Sequence, residues 1–246
     1  MHSGAEGVVE MSEQAGTAIV AGVGAGLGRA LCGQLAGAGF CVAGLARGTE
    51  AGRNLVAELG SDRFMMGRCD LSDATQVDRA VRAIEEQWGP ASVYVHNAAP
   101  FHAAPFAETK PDIFESVWRT TCLGAVHGSQ RVLPGMLQRG AGVLLFVGAT
   151  ASVKAGAGFS AFGSAKSALR GLAQSLAREL GPRGIHVAHL VIDGVIWGER
   201  ADEDFGMTRE QCLEPAAVAG TCLHLIGQER SAWTHELDIR PDRERF

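Results

Sequence analysis

The sequence predicts an α/β fold in which about seven parallel strands form a doubly wound sheet with helices on both faces. Three observations support this prediction. Short apolar runs alternate with segments of helical periodicity along most of the chain. The first apolar run ends in a turn, residues 22–28, that holds four glycines in seven residues. With 246 residues, 46% of them hydrophobic, the chain can bury the core of one such domain.

In the first half of the chain, each apolar run is followed by a helical pattern that stops at a glycine or proline. Ser72 stands where it would cap the third helix, which ends before Gly89 and Pro90. The strands predicted here cover residues 17–21, 39–45, 63–68, 92–95 and 143–147, and the helices follow the glycine turn and lie around 55–59, 77–88 and 111–139.

The second half begins with the clearest helical pattern in the sequence. Leu169, Leu172, Leu176 and Leu180 share one face, and Gly181 with Pro182 ends the helix. Since parallel strands bring their carboxyl ends to one edge, a ligand is expected in the crevice there. The remaining elements are a strand at 184–192, an irregular stretch at 198–214, a helix at 215–226 and a seventh strand at 236–240.

The composition argues against several kinds of partner. The net charge is −5, and no basic run of the type that binds nucleic acid or anionic lipid is present. No apolar stretch approaches the roughly 20 residues of a membrane span, and residues 1–16 lack a signal-peptide pattern. We therefore expect a cytoplasmic protein with a polar, disordered segment at residues 1–15 and one domain at residues 16–246.

The six cysteines form no C-x-x-C pair and mostly lie in apolar segments, which is typical of buried thiols in a reducing compartment rather than of disulfides. The histidines give no metal-binding pattern. His186 and His189 are three residues apart on a predicted strand and so point to opposite faces. No metal site is predicted.

The glycine turn lies between a strand and a helix, and this junction suits a phosphate. Glycines let the backbone approach a pyrophosphate closely, and the first N–H groups and the dipole of the helix attract negative charge. The alternative is a flexible strand-to-helix turn with no ligand. We expect the turn to bind phosphate through residues Gly22, Val23, Gly24, Ala25, Gly26, Leu27 and Gly28.

In order and spacing, several motifs make the chain resemble the short-chain dehydrogenase/reductase superfamily over residues 17–237. This resemblance implies a Rossmann-type fold, a nicotinamide cofactor and oxidoreductase activity on a small carbonyl or alcohol. The matching positions are Gly22, Gly26 and Gly28 in the glycine turn, Asp70 after the third strand, Asn97-Ala98-Ala99 after the fourth, Lys166, and Asp193-Gly194. It further implies cofactor contacts at Asp70, Leu71, Asn97, Ala98, Ala99, Lys166, Gly194, Val195 and Ile196.

The catalytic positions depart from the family pattern. Where the family has its catalytic Tyr this chain has Phe162, and the Ser and helper Asn positions are Ala149 and Cys122. Only Lys166 remains, four residues after Phe162 on the same helix face, and it is expected to bind the nicotinamide ribose. A ring without a hydroxyl cannot protonate an alkoxide, and the loss of a general acid reduces the rate by roughly 10²–10⁴.

Other residues could supply the missing proton. Thr150 or Ser152 offers a hydroxyl near the vacant Ser position, although turn residues of this kind often bond their own backbone. His96 and His102 flank the cofactor loop and could shuttle a proton, or they could have structural roles only. The candidate catalytic residues are therefore Lys166, Phe162, Thr150 and His102.

The end of the second strand favours NADP over NAD. Ala46 stands where an NAD enzyme usually has a carboxylate, and the adjacent Arg47 can pair with a 2′-phosphate. The alternative is a solvated loop arginine, and NAD remains possible. A homodimer or homotetramer is expected, because the helices at 111–139 and 169–180 carry more apolar surface than one sheet face covers and the family pairs these helices across a two-fold axis.

Three functions are compatible with the sequence. The first is an NADP-dependent oxidoreductase with an atypical site. The second is an NADP-binding protein with little redox turnover, such as a sensor or a silent subunit. The third is a lyase or isomerase that uses the same crevice for non-redox chemistry. The substrate would be shaped by residues 198–214, which include Phe205, Met207 and several acidic side chains but fix no chemical class.

Overall fold

The computed structural model describes residues 15–243 of the chain. Its centre is a seven-stranded parallel sheet, which confirms the predicted fold class. The strands are β1 (Thr17–Ala21), β2 (Cys41–Ala46), β3 (Phe64–Arg68), β4 (Ala91–His96), β5 (Gly142–Val147), β6 (Ile185–Ile192) and β7 (Glu236–Ile239). The helices are α1 (Leu27–Gly37), α2 (Glu50–Leu59), α3 (Ala74–Trp88), α4 (Pro111–Trp118), α5 (Gly124–Arg139), α6 (Ser160–Leu180), α7 (Glu199–Glu203) and α8 (Pro215–Ile226).

The strand order is β3-β2-β1-β4-β5-β6-β7, so the direction of winding reverses between β1 and β4. At such a reversal the connections leave the sheet on opposite faces, and a crevice opens at the carboxyl ends of the two strands. The residues that follow β1 and β4, beginning with Gly22 and Asn97, therefore form its two sides.

Each face of the sheet buries its own hydrophobic core. Alternate residues of β1 point to opposite faces: Val20 packs with side chains of α1, α2 and α8, and Ile19 packs with side chains of α3, α5 and α6. Because both faces are covered, the strands read as nearly continuous apolar runs.

One local prediction is wrong. Asp73, not Ser72, caps α3: its Oδ1 accepts hydrogen bonds from the backbone N–H groups of Thr75 (2.9 Å) and Gln76 (3.1 Å). Ser72 instead donates its hydroxyl to Asp70 Oδ1 at 2.7 Å. The helical region predicted at 111–139 is confirmed, and within it a π-helical turn at Arg119–Leu123 separates α4 from α5.

The expected N-terminal segment lies outside the described residues, except for Ala15, whose N–H donates to the Gly39 carbonyl at 3.4 Å. All six cysteines lie within the described part and are buried as free thiols. Between residues 15 and 243, none of the helices has the length and apolar character needed to cross a bilayer.

Candidate active site

The glycine turn leaves β1 with Gly22 in the left-handed region (φ 103°), which favours glycine. A Cβ at Gly22 would lie 2.5 Å from the backbone nitrogen of Ala98, and one at Gly28 would lie 2.5 Å from the Gly22 carbonyl oxygen. Gly24 and Gly26 differ, because a Cβ on either would meet no atom within 4 Å. The turn is thus tightly packed on one side and has open space on the other.

The loop that follows β4 is hydrogen-bonded directly to this turn. Asn97 donates from Nδ2 to the Gly22 carbonyl at 2.7 Å. The backbone N–H groups of Asn97 and Ala98 both donate to the Ala21 carbonyl, at 2.8 and 3.0 Å. The two sides of the crevice are therefore held at a set separation by hydrogen bonds rather than by side-chain packing alone.

Lys166, on α6, is one of the residues that line the crevice. It is only 3% exposed, and its Nζ donates to the Val147 carbonyl at the end of β5 at 2.6 Å. Burial lowers the pKa of this ammonium from 10.5 to about 7, because the charged form loses its hydration. One helical turn earlier, the Phe162 ring centroid lies 5.6 Å from the Lys166 Nζ.

The two candidate hydroxyls after β5 have different partners. Ser152 is buried and accepts a hydrogen bond from the Ala149 N–H at 3.0 Å, so its hydroxyl bonds its own turn. Thr150 instead donates from Oγ1 to Asp193 Oδ1 at 2.7 Å. Asp193, at the end of β6, is 7% exposed, and its other oxygen lies 3.7 Å from the guanidinium of Arg240.

Neither candidate histidine reaches the crevice wall. His96 is fully buried beside the Tyr94 hydroxyl (3.2 Å), and burial lowers the pKa of its imidazole to about 3, so the ring is neutral near pH 7. His102 lies with its Nε2 3.4 Å from Thr109 Oγ1 and is not among the residues that line the cleft. Cys122 is buried in the π-helical turn, and burial raises the pKa of its thiol.

The crevice has a volume of about 1230 Å³. The structure brings most of the predicted site residues to its wall, and Ala149 joins them. Val23 does not line it because its side chain is buried in the core, and Arg47, Asp70 and Leu71 follow neighbouring strands outside the wall. The predicted residues that line the crevice are Gly22, Gly24, Ala25, Gly26, Leu27, Gly28, Asn97, Ala98, Ala99, Thr150, Phe162, Lys166, Gly194, Val195 and Ile196.

Sequence reasoning missed several apolar side chains of the crevice and, outside the crevice, the position of Arg68. Arg68 ends β3 and pairs in register with Ala46, so it lies beside the end of β2. The signal for it was its position at the end of an apolar run. The missed apolar lining residues come from separate loops that only the fold brings together, namely Phe101, Phe159 and Trp197.

A sequence profile described as "short chain dehydrogenase" matches residues 16–196, which is more than half of the chain. The chain belongs to the short-chain dehydrogenase/reductase superfamily. Carbonyl reductase family member 4 of Danio rerio is 29% identical over 218 residues, which cover 85% of this chain and 90% of that protein.

Solved structures of the superfamily agree with the fold. A short-chain dehydrogenase from Rhodopseudomonas palustris is 36% identical, with a TM-score of 0.78 over 91% of this chain and 98% of that one. The closed form of a serine dehydrogenase, solved with NADP⁺, has a TM-score of 0.86 at 20% identity over 94% of this chain and 96% of that one. The superfamily fold implies a nicotinamide dinucleotide cofactor and oxidoreductase chemistry.

Proposed function

We propose that the protein is an NADP-dependent oxidoreductase that interconverts a small alcohol and its carbonyl compound, with Thr150 and Asp193 handling the substrate proton. The observation that carries this proposal is the 2.7 Å hydrogen bond from Thr150 Oγ1, on the crevice wall, to the Asp193 carboxylate. This hydrogen bond supplies a proton path in a site where Phe162, which has no hydroxyl, occupies the position of the superfamily's catalytic Tyr.

Several residues of the crevice are suited to hold the cofactor. Gly24 and Gly26 face open space at the start of α1, where the first helical N–H groups have no intrahelical partner and can bind the pyrophosphate. In its protonated form Lys166 has three N–H donors, of which one is used on Val147, so the others can hold ribose hydroxyls.

The preference for NADP is supported by two arginines. Arg47 is exposed directly after β2, and Arg68 ends the neighbouring strand β3 beside Ala46. Arginine binds phosphate oxygens with paired N–H donors, and no carboxylate replaces Ala46 to bind a 2′-hydroxyl instead. Both residues lie at the carboxyl ends of neighbouring parallel strands, the edge of the sheet at which a dinucleotide binds in this kind of fold.

When bound, the nicotinamide supplies or accepts the hydride at the substrate carbon. The protein's own part is to move the proton. As the alcohol is oxidised, its O–H proton passes to Thr150 Oγ1 while Thr150 gives its own hydroxyl proton to Asp193 Oδ1, so that the threonine is neutral before and after. Reduction returns the proton along the same two atoms. Lys166 lines the same crevice as Thr150, and its protonated form would favour negative charge on the substrate oxygen.

The test compares three proteins on a panel of alcohols and ketones, with oxidation of NADPH and reduction of NADP⁺ as readouts. Thr150→Val removes the hydroxyl at nearly constant shape and is expected to lower kcat by roughly 10²–10⁴ without changing the affinity for NADPH. Thr150→Ser keeps the hydroxyl and is the matched control. Equal turnover by Thr150→Val and wild type contradicts the proton path.

The second candidate is an NADP-binding protein with little turnover, and the half-buried Phe162 ring in the crevice favours it. NADPH binding by wild type, Thr150→Val and Thr150→Ser, with no turnover of any substrate by any of them, would establish that alternative.

A further inference from the structure

Four phenylalanines from separate parts of the chain converge in the crevice. Phe101 follows β4, Phe159 and Phe162 lie at the start of α6, and Phe205 follows α7. The Phe101 ring centroid lies 5.8, 5.4 and 5.7 Å from those of Phe159, Phe162 and Phe205, with interplanar angles of 59°, 64° and 70°. We refer to these four residues as the phenylalanine cluster.

The phenylalanine cluster is not part of the hydrophobic core. Neither core cluster among the described residues includes any of its members, whereas all four line the crevice. Phe205 is 38% exposed, and the other three rings are half-buried. Apolar rings that face a solvent-accessible crevice gain stability when an apolar ligand covers them, and this is the usual character of a ligand site.

The cluster lies next to the reacting end of the crevice. Phe162 is one helical turn before Lys166, and its ring centroid is 5.6 Å from the Lys166 Nζ. Thr150 lines the same crevice. The charged residues that line it besides Lys166 are Lys154, Glu203 and Asp204, and all three are exposed. A substrate whose oxygen approaches Thr150 and Lys166 therefore has apolar rings, rather than buried charges, beside its carbon skeleton.

The ring geometry favours an aromatic group over a saturated one. The angles of 59° to 70° at these separations are close to edge-to-face, the arrangement in which the positive edge of one ring meets the negative face of another. An incoming ring can extend this packing with the same kind of contact, whereas a saturated ring of similar size has no such charge distribution.

We propose that the substrate carries an aromatic ring next to its reacting carbon, as in an aryl ketone or the corresponding benzylic alcohol, and that the phenylalanine cluster binds this ring. The inference rests on the proposed function, since it names the substrate class of the same site.

The test measures binding by isothermal titration calorimetry on the full-length protein saturated with NADP⁺, so that a ketone binds without being reduced. Acetophenone and cyclohexyl methyl ketone form a matched pair of similar size, and hydroxyacetone represents a small polar ketone. Acetophenone is expected to bind about 2- to 10-fold more tightly than cyclohexyl methyl ketone. Equal affinity for the pair, or tighter binding of hydroxyacetone, overturns the inference.

Two variants locate the effect. Phe101→Leu removes the central ring but keeps an apolar side chain, and it is expected to bring the affinity ratio close to one. Phe106→Leu is the control, because Phe106 is 74% exposed, packs against Phe114 and does not line the crevice. If Phe101→Leu still binds acetophenone more tightly than cyclohexyl methyl ketone by the wild-type ratio, the inference is also overturned. If this variant does not fold, the comparison of the two ketones on wild type still tests the inference.

The outcome separates this inference from the proposed function. Selective binding of acetophenone with no NADPH oxidation contradicts the redox function and leaves the cluster as a site for aromatic ligands. Oxidation of NADPH by hydroxyacetone, with no selective binding of acetophenone, retains the redox function and overturns the aromatic substrate class.

Discussion

Replacement of Lys166 by methionine should change how stability depends on pH. Burial lowers the pKa of Lys166 from 10.5 to about 7, so between these values the unfolded chain binds more protons than the folded one. The free energy of unfolding therefore rises with pH across this window through Lys166. At 1.36 kcal/mol per unit, the buried charge destabilises the fold by about 5 kcal/mol below pH 7, relative to a neutral amine.

The experiment compares wild type and Lys166→Met by urea unfolding at pH 6 and pH 9, with a reductant present to protect the six cysteines. The Lys166 charge adds to the lowering of the pKa of His96 and of His189, but burial is the larger cause and holds these pKa values at about 3 and about 4, below the pH range of the experiment, so groups other than Lys166 nearly cancel. From the two pKa values, the free energy of unfolding of wild type should rise by about 3 kcal/mol relative to that of Lys166→Met between pH 6 and pH 9.

Lys110 offers a matched control because its side chain is exposed. The difference in the free energy of unfolding between wild type and Lys110→Met should be the same at both pH values. If the difference between wild type and Lys166→Met is likewise constant, Lys166 does not lose its charge near pH 7, and the argument from burial is wrong.

Four further outcomes are expected. Arg47→Ala combined with Arg68→Ala should weaken NADPH binding by roughly 10- to 100-fold and leave NADH binding unchanged, as measured by fluorescence titration. Phe162→Tyr should raise carbonyl reduction in a steady-state NADPH assay, because the new phenol would lie near the Lys166 ammonium; no activity in either protein, with NADPH binding retained, would count against a redox site. Gly28→Ala should destabilise the fold by about 1–3 kcal/mol in chemical denaturation, since its Cβ would lie 2.5 Å from a backbone oxygen, whereas the same change at Gly24 should have little effect. Light scattering should give a native mass that is a multiple of the 25.7 kDa chain, and a monomer would contradict the predicted homo-oligomer.

Local sequence patterns were enough to predict the strands, most of the helices and the glycine turn, because each depends on residues that are adjacent in the chain. The α8 helix, at Pro215–Ile226, has the predicted bounds. Helix ends were harder to predict where polar neighbours compete. Ser72 and Asp73 can both cap a helix, and the choice is settled by Asp70, which accepts the Ser72 hydroxyl.

Contacts within the site between residues that are distant in the chain could not be predicted from local patterns. The sequence predicts Thr150 as a candidate, but the carboxylate that accepts its hydrogen bond comes from Asp193, 43 residues later in the chain. The phenylalanine cluster and the position of Arg68 beside Ala46 likewise depend on which strands are neighbours. The position of His102 in the sequence predicts that it faces the substrate. In the structure its Nε2 lies 3.4 Å from Thr109 Oγ1 instead.

The π-helical turn at Arg119–Leu123 has a consequence for how the chain tolerates deletions. Such a turn holds one residue more than an α-helical turn, and one residue corresponds to about 100° of rotation around a helix axis. The faces of α4 and α5 are therefore offset, so that α4 packs against α6 while α5 packs against β4 and α3. Removing a single residue here would restore an unbroken helix and turn Val117 of α4 away from the interior, whereas a substitution at the same place would leave both packing surfaces in register.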